Sequence, residues 1–499
     1  MELLLSLSPI LVLAIGALML MLAEALAGAK RGLSVGAAVV SFAGMFAAIG
    51  LWLAGPEKLD TSALAPWLVV DATSLLVSAV LCFATGVSAM FAGGYLVEHK
   101  MERGEFYPLM LFATVGGLVL VSATDMLTLF LGLETLSLGV YAMVAFRRTS
   151  PRATEAALKY FLLGSFAAAV MIFGIAMLYG ATGHTDFAGI AESIQSAKNA
   201  NLALVVFSMA LVLVGMAFKV SAVPFHMWTP DAYEGAPTPV TAYMAVVVKV
   251  AAFAALLRVF VGPFGSAALT SWGAGWPAVF ALLALLTMTV SNLIAGQQES
   301  VKRMLAYSSI AHAGYLLVGV VATSRATDAA TNGILFYLAG YTVATLGALG
   351  VLMLAGSRGL EATSYEDLAG LGKRHPVLGI AMSFFLLSLA GVPPLAGFFG
   401  KWLIFKSAID GGFVWLTVFG LLNSVLGAYY YLRVMVFMYM REPALGAPFA
   451  KPMRSPMIGF AVAASAVLVL AIGLCPATVF SVASHAIPAT TTAAIAAAH

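Results

Sequence analysis

The sequence predicts an all-α polytopic membrane protein: about 14 transmembrane helices with two inverted five-helix repeats and two broken helices. Three observations lead there. Of 499 residues, 62% are hydrophobic and only 9% are charged, whereas soluble domains carry about a quarter charged residues. Apolar runs near the ~20 residues that cross a bilayer recur along the chain. Two of those runs, five apart in order, are interrupted by proline and glycine.

The runs fall at 3–27, 31–54, 72–97, 107–122, 124–146, 154–180, 202–228, 239–261, 274–298, 303–322, 329–355, 377–409, 413–440 and 455–483. Each is expected to be helical, because an isolated apolar segment in lipid can satisfy its backbone groups in no other way. The first run follows Glu2 and precedes Lys30 and Arg31, the pattern of an uncleaved span rather than a signal peptide. Between spans six and seven, Phe187, Ile190 and Ile194 recur at helical spacing and predict a short interfacial helix. The Ala/Thr-rich tail from Pro488 to His499 reads as disordered.

Basic residues set the orientation, since cytoplasmic loops collect Lys and Arg. Loops after odd-numbered spans hold Lys30, Arg31, Lys100, Arg103, Arg147, Arg148, Arg152, Lys302, Arg303, Arg358, Lys373, Arg374, Arg441, Lys451 and Arg454. Loops after even-numbered spans hold only Lys58, Lys198 and Arg325. Fifteen against three places the odd loops in the cytoplasm and both termini outside.

The broken spans are the seventh, with Pro224 shortly after Lys219, and the twelfth, with LAGVPPLAGFFGK at its middle. Proline removes a backbone donor and clashes with the preceding turn. Backbone opened at membrane depth must be buried in protein or line a wet cavity; a plain proline kink is the simpler alternative. If spans four to eight and nine to thirteen descend from one unit, their odd number inverts the second copy, as in many transporters. The expected organisation is then three N-terminal helices (1–106), a first repeat (107–261), a second repeat (274–441), and a last helix with its tail (455–499).

Seven basic residues fall within spans: Lys159, Lys219, Lys249, Arg258, Lys401, Lys406 and Arg433. Arg258, Lys406 and Arg433 lie near span ends, where long side chains snorkel to the interface. Lys219 sits beside the seventh-span break, Lys249 about ten residues into the eighth span, and Lys401 after the twelfth-span break. Lys159 lies only about five residues into its span, so snorkelling competes with a buried role. Glu134, near the middle of the fifth span, is the natural partner of Lys219. An unpaired charge there costs at least ~3 kcal/mol, and either a static ion pair or a proton-loading pair meets that cost.

His226 and His312 add side chains whose ordinary pKa suits proton relay, although each is equally compatible with packing. Ser221, Thr241, Ser308 and Ser309 supply hydroxyls nearby. Together these groups predict a polar axis in the membrane plane. Asp231 and Glu234 follow the seventh span, as a solvated turn or the lining of a proton inlet. A net charge of +3 without a basic patch is too small to imply nucleic acid, and none is expected as a partner. Cys82 and Cys475 lie apart, outside any CxxC or Cys/His ligand spacing. No metal motif, phosphate-cradling loop or nucleophile–base pair competes.

FKVSAVPFHMWTPDAYEGAPTPVTAYM, ESVKRMLAYSSIAHAGYLLVG and AGVPPLAGFFGKW resemble the antiporter-like subunits of respiratory complex I, in their N-type branch, the counterparts of mitochondrial subunit two. L- and M-type members and the related sodium/proton antiporters tend to carry Leu-Pro-Asp after the tryptophan, where this chain has Thr229, Pro230 and Asp231. The resemblance implies proton translocation through Glu134, Lys219, Lys249 and Lys401, with His226, Lys159 and His312 as further members. It also implies no cofactor in this chain: FMN, iron–sulfur clusters and quinone belong to other subunits. The implied partners are lipids and the M, K, J and A type membrane neighbours in an obligate hetero-oligomer of the bacterial inner membrane. The alternative is a subunit of a cation/proton antiporter complex.

Overall fold

The computed structural model describes residues 2–28, 32–59, 61–196, 201–273, 275–356, 360–443 and 452–484. Lys30, Arg31, Lys198, Arg358 and Lys451 of the orientation count, and the tail Pro488–His499, lie outside the described residues.

Among the described residues, 12 helices are long and apolar enough to cross a membrane, and two shorter apolar helices complete the fourteen positions expected. They are α1 (Ser8–Ala27), α2 (Leu33–Ala54), α3 (Ala72–Glu98), α4 (Phe106–Ser122), α5 (Met126–Val144), α6 (Pro151–Thr182), α7a (Leu202–Lys219) with α7b (Trp228–Gly235), and α8 (Thr238–Val261). Then follow α9 (Trp276–Ala295), α10 (Val301–Thr323), α11 (Thr327–Ala355), α12a (Pro376–Ala390) with α12b (Ala396–Asp410), α13 (Val414–Met440) and α14 (Pro456–Leu474). The interfacial helix forms at Phe187–Gln195, with Phe187, Ile190 and Ile194 buried.

Helix ends follow from sequence. Asp71 and Ser74 form a capping box at α3, and Asp125 accepts from the amides of Leu127 and Thr128 at α5, so the first free N–H groups are satisfied. The centre is α8, α10 and α11, whose apolar windows are 89%, 94% and 94% buried, against 22% for α1 and 33% for α6. Lys249 on α8 and His312 on α10 thus lie on the most enclosed helices. α4 and α5 meet through Gly116 and Gly132, where any Cβ would strike the other helix's backbone; small residues permit such approach in membranes. That contact fixes α5 and Glu134.

At one end of the bundle the described part of the connection after α11 meets the end of α5 and the start of α10. There Glu361 joins Arg147 and Lys302. At the other end Arg258 forks onto Asp71 at 2.9 and 2.8 Å and onto the Val121 carbonyl at 2.8 Å. Burial raises the Asp71 carboxyl, but Arg258 outweighs it and holds the group below its ordinary value. Arg258 is therefore clamped rather than snorkelling. Arg433 likewise donates to the Gly296 and Gln298 carbonyls, while Lys406 stays exposed beside Asp410.

A further expectation needs correction. Lys302, counted as a loop residue, is the second residue of α10 and only 1% exposed, because its amine caps the Ala236 carbonyl after α7b at 2.6 Å.

Candidate functional site: a row of buried amines and hydroxyls

Both breaks are true interruptions. After α7a the chain turns through Pro224 and restarts at Trp228. Trp228 Nε1 donates to the Phe218 carbonyl at 3.0 Å, and the Val223 amide donates to Thr287 on α9 at 2.9 Å. The groups freed by the break are thus re-satisfied within protein, as low dielectric requires. Ser221 adopts a left-handed φ of 63°, and its hydroxyl accepts from Thr229. In the twelfth helix the opened end of α12a presents the Ala390 carbonyl, which accepts from Lys401 at 2.8 Å. A cation at a helix C-terminus also meets the negative end of its dipole.

Lys219, the last residue of α7a, is 2% exposed. Its amine donates to Ser137 at 2.7 Å and to the Tyr160 hydroxyl at 3.4 Å. Tyr160 stacks on Trp228, ring centroids 4.2 Å apart, so the aromatic cluster that closes the break also holds the lysine. Glu134 makes no ion pair within 4.0 Å of Lys219; the two line one small cavity of about 10 Å³, near the lower limit for a single water. Ser137, one turn beyond Glu134, takes the contact expected of the carboxylate, and Glu134 Oε1 is enclosed without a hydrogen-bond partner.

Lys249 is reached through an interruption that its valine-rich surroundings do not reveal. A π turn at Met244–Val248 immediately precedes it, a rare feature concentrated at functional sites. Its amine donates to both the carbonyl and the hydroxyl of Ser309, at 2.5 and 2.6 Å, and Tyr341 donates to the same hydroxyl at 2.9 Å. One turn along α10, His312 Nδ1 meets Tyr337, and Nε2 meets Tyr431 at 3.0 Å. Tyr431 also bonds Ser308. His312 lies within electrostatic reach of both Lys249 and Lys401. Lys401 adds Ser424 at 2.8 Å and sits over the Tyr315 ring, 5.1 Å from its centroid.

A common chemistry emerges. Lys219, Lys249 and Lys401 are held by hydroxyls and carbonyls, without a carboxylate within 4.0 Å among the described residues. A carboxylate would lock the ammonium. A hydroxyl both donates and accepts, so it serves ammonium and neutral amine alike.

Two candidates stand apart. Lys159 is half exposed and paired with Glu155 at 2.7 Å and Asp231 at 3.0 Å, and Arg303 also reaches Asp231 at 2.9 Å. These groups line an open cavity of about 310 Å³. Glu234, on the same wall, accepts from Ser300. His226, in the α7 break, has an enclosed Nδ1 without a partner and makes no hydrogen bond to the other candidates. Missed by the sequence were Ser137, Ser424 and the tyrosines. Tyr337 and Tyr341, one turn apart on α11, were the available signal.

Comparison with known proteins follows the same lines. Residues 123–427 match the family described as NADH:quinone oxidoreductase/Mrp antiporter, TM. A Sorangium cellulosum protein named NADH-quinone oxidoreductase subunit N 1 is 60% identical over 495 residues, covering 96% of this chain and 97% of that one. The Myxococcus xanthus NADH-quinone oxidoreductase subunit N is 43% identical, covering 81% and 82%. A chain of respiratory complex I from Thermus thermophilus superposes with a TM-score of 0.79 at 35% identity, covering 95% of this chain and 99% of its own length. A chain of the Mrp complex from Dietzia, at 22% identity and a TM-score of 0.83 over 97% of each chain, shares the fold.

Proposed function

We propose, from the premise that this chain belongs to the NADH:quinone oxidoreductase/Mrp antiporter transmembrane family and to its subunit N branch, that it carries protons through its own row of buried lysines. It is an antiporter-like membrane subunit of a proton-translocating NADH-quinone oxidoreductase, a multisubunit complex whose cofactors reside elsewhere.

The observation that carries the reading is the coordination of Lys219, Lys249 and Lys401 by groups that tolerate either protonation state. Glu134, sharing a cavity with Lys219, biases its proton: a carboxylate brought closer favours the ammonium, and one withdrawn favours release. Protons pass from Lys249 through Ser309 and the Tyr337–His312–Tyr431 cluster toward Lys401. Repulsion between neighbouring ammonium groups drives release. Quinone reduction in other subunits, which hold FMN and iron–sulfur clusters, supplies the free energy.

The assembly has M, K, J and A type neighbours, with lipids over the exposed apolar faces. The chain lies in a bacterial inner membrane with both termini periplasmic, following the excess of Lys and Arg in the odd loops. Helices α4–α8 and α9–α13 form the two inverted repeats, each with one broken helix.

Lys219→Ala in the assembled complex tests this. The substitution leaves Ser137 bonded to the Leu133 carbonyl, and in complex shown by native gel to be assembled, both proton pumping and coupled NADH oxidation should fall at least tenfold. Normal pumping would end the assignment. Glu134→Gln should weaken pumping in the same direction. Migration on a native gel in a redox-free complex would instead favour a cation/proton antiporter assembly.

A further inference from the structure

The connection after α11 returns one carboxylate to the bundle. Glu361 meets the hydroxyl of Tyr95 on α3, and its Oε1 accepts from Arg147 at 3.0 Å. Its Oε2 accepts from Lys302 on α10 at 3.3 Å and from Thr238, the first residue of α8, at 3.4 Å. His99 stacks on Tyr95 at 4.1 Å, and Glu234 of α7b acts electrostatically on Lys302. The Glu361 side chain is 16% exposed and that of Lys302 1%. Burial pushes the carboxyl up to about 8, despite its two cationic neighbours.

Lys302 also marks a direction. Ser309, which holds Lys249, lies seven residues further along α10, two turns on the same face and roughly 10 Å deeper. The Tyr233 hydroxyl faces Ser309 from α7b, and Thr241 bonds the Tyr233 carbonyl. A static anchor needs no such alignment; a proton path does.

We propose that Glu361 is a further proton-transferring residue, which takes protons from water at the odd-loop end and passes them through Lys302 along the α10 face toward Ser309 and Lys249. The protonated Glu361 carboxyl gives its proton to a neutral Lys302 amine, leaving a carboxylate beside an ammonium. Lys302 then releases that proton inward and returns to the amine, and Glu361 recovers a proton from bulk water. This role rests on Lys249 being a proton carrier.

The test uses the assembled complex in sealed vesicles, with initial NADH-driven pumping measured across the pH range that brackets the Glu361 titration. Glu361→Gln keeps the size and the acceptor oxygen but carries no proton; Glu361→Asp keeps the acid. The Gln variant should pump roughly tenfold slower than the unaltered complex at a pH below about 8, the gap closing above it as the native carboxyl empties. Asp should restore most of the rate. Wild-type pumping by the Gln variant would overturn the proposal, as would equal, pH-independent losses in Gln and Asp, which mark a structural staple. A Lys249→Met complex measured alongside separates the claims: if it is silent while Glu361→Gln is normal, only the Glu361 role fails, and if it pumps normally, the Lys249 reading fails and the Glu361 role with it.

Discussion

His312 is the hinge of the row, and its replacement separates hydrogen bonding from proton transfer. His312→Ala removes the partner of the Tyr337 hydroxyl, while Tyr431 keeps Ser308. One orphaned buried hydroxyl costs about 1–3 kcal/mol, before the cost of the cavity. His312→Gln offers an amide donor and acceptor to the two tyrosines and should cost no more than about 1 kcal/mol. Gln, however, does not titrate near neutrality, and a positioned proton-transfer group contributes about 10²–10⁴-fold to a rate. NADH-driven acidification by vesicles carrying assembled complex should therefore fall at least tenfold in His312→Gln, with the complex's melting midpoint nearly unchanged. Wild-type acidification by a well-assembled His312→Gln complex would refute the relay and leave His312 as a packing residue.

Other consequences concern the scaffold. Asp71→Asn keeps the α3 cap but discharges the partner of Arg258, at an expected cost of about 3–5 kcal/mol near neutral pH. The Asp71 carboxyl is held below its ordinary value by Arg258, so its contribution is complete above the unfolded pKa of about 3.9 and is lost as pH falls through the folded value. Thermal melting of wild type and variant should converge in acid; a gap that persists undiminished contradicts the pairing. Trp228→Phe deprives the Phe218 carbonyl of its indole donor and should lower stability by about 1–3 kcal/mol, read as a lower melting midpoint and faster proteolysis at the α7 break. An unchanged midpoint would mean that water replaces the indole.

The membrane plan was legible because lipid permits few solutions: helices of bilayer length, charge confined to ends, and proline marking the breaks. The burial of Lys219, Lys249 and Lys401 was legible for a related reason, since charge within an apolar span is too expensive to be incidental. Their contacts were not. Ser137, rather than Glu134, bonds Lys219, a choice set by which face of α5 the Gly116–Gly132 contact turns inward. The π turn before Lys249 leaves no mark in a run of valines. The place of the tyrosines in the site shows only where α11 and α13 bring Tyr337, Tyr341 and Tyr431 around His312 and Ser309. Lys302 was counted as a loop residue, and Glu361 drew no reading, because ordinary loop spacing hides a chain that folds back into the bundle.

Protons counted per NADH oxidised, in sealed vesicles holding assembled Lys249→Met complex, test the central claim most directly. The row of amines and hydroxyls predicts that turnover collapses or, where oxidation continues, that fewer protons accompany each NADH. Unchanged turnover with an unchanged proton count would contradict it.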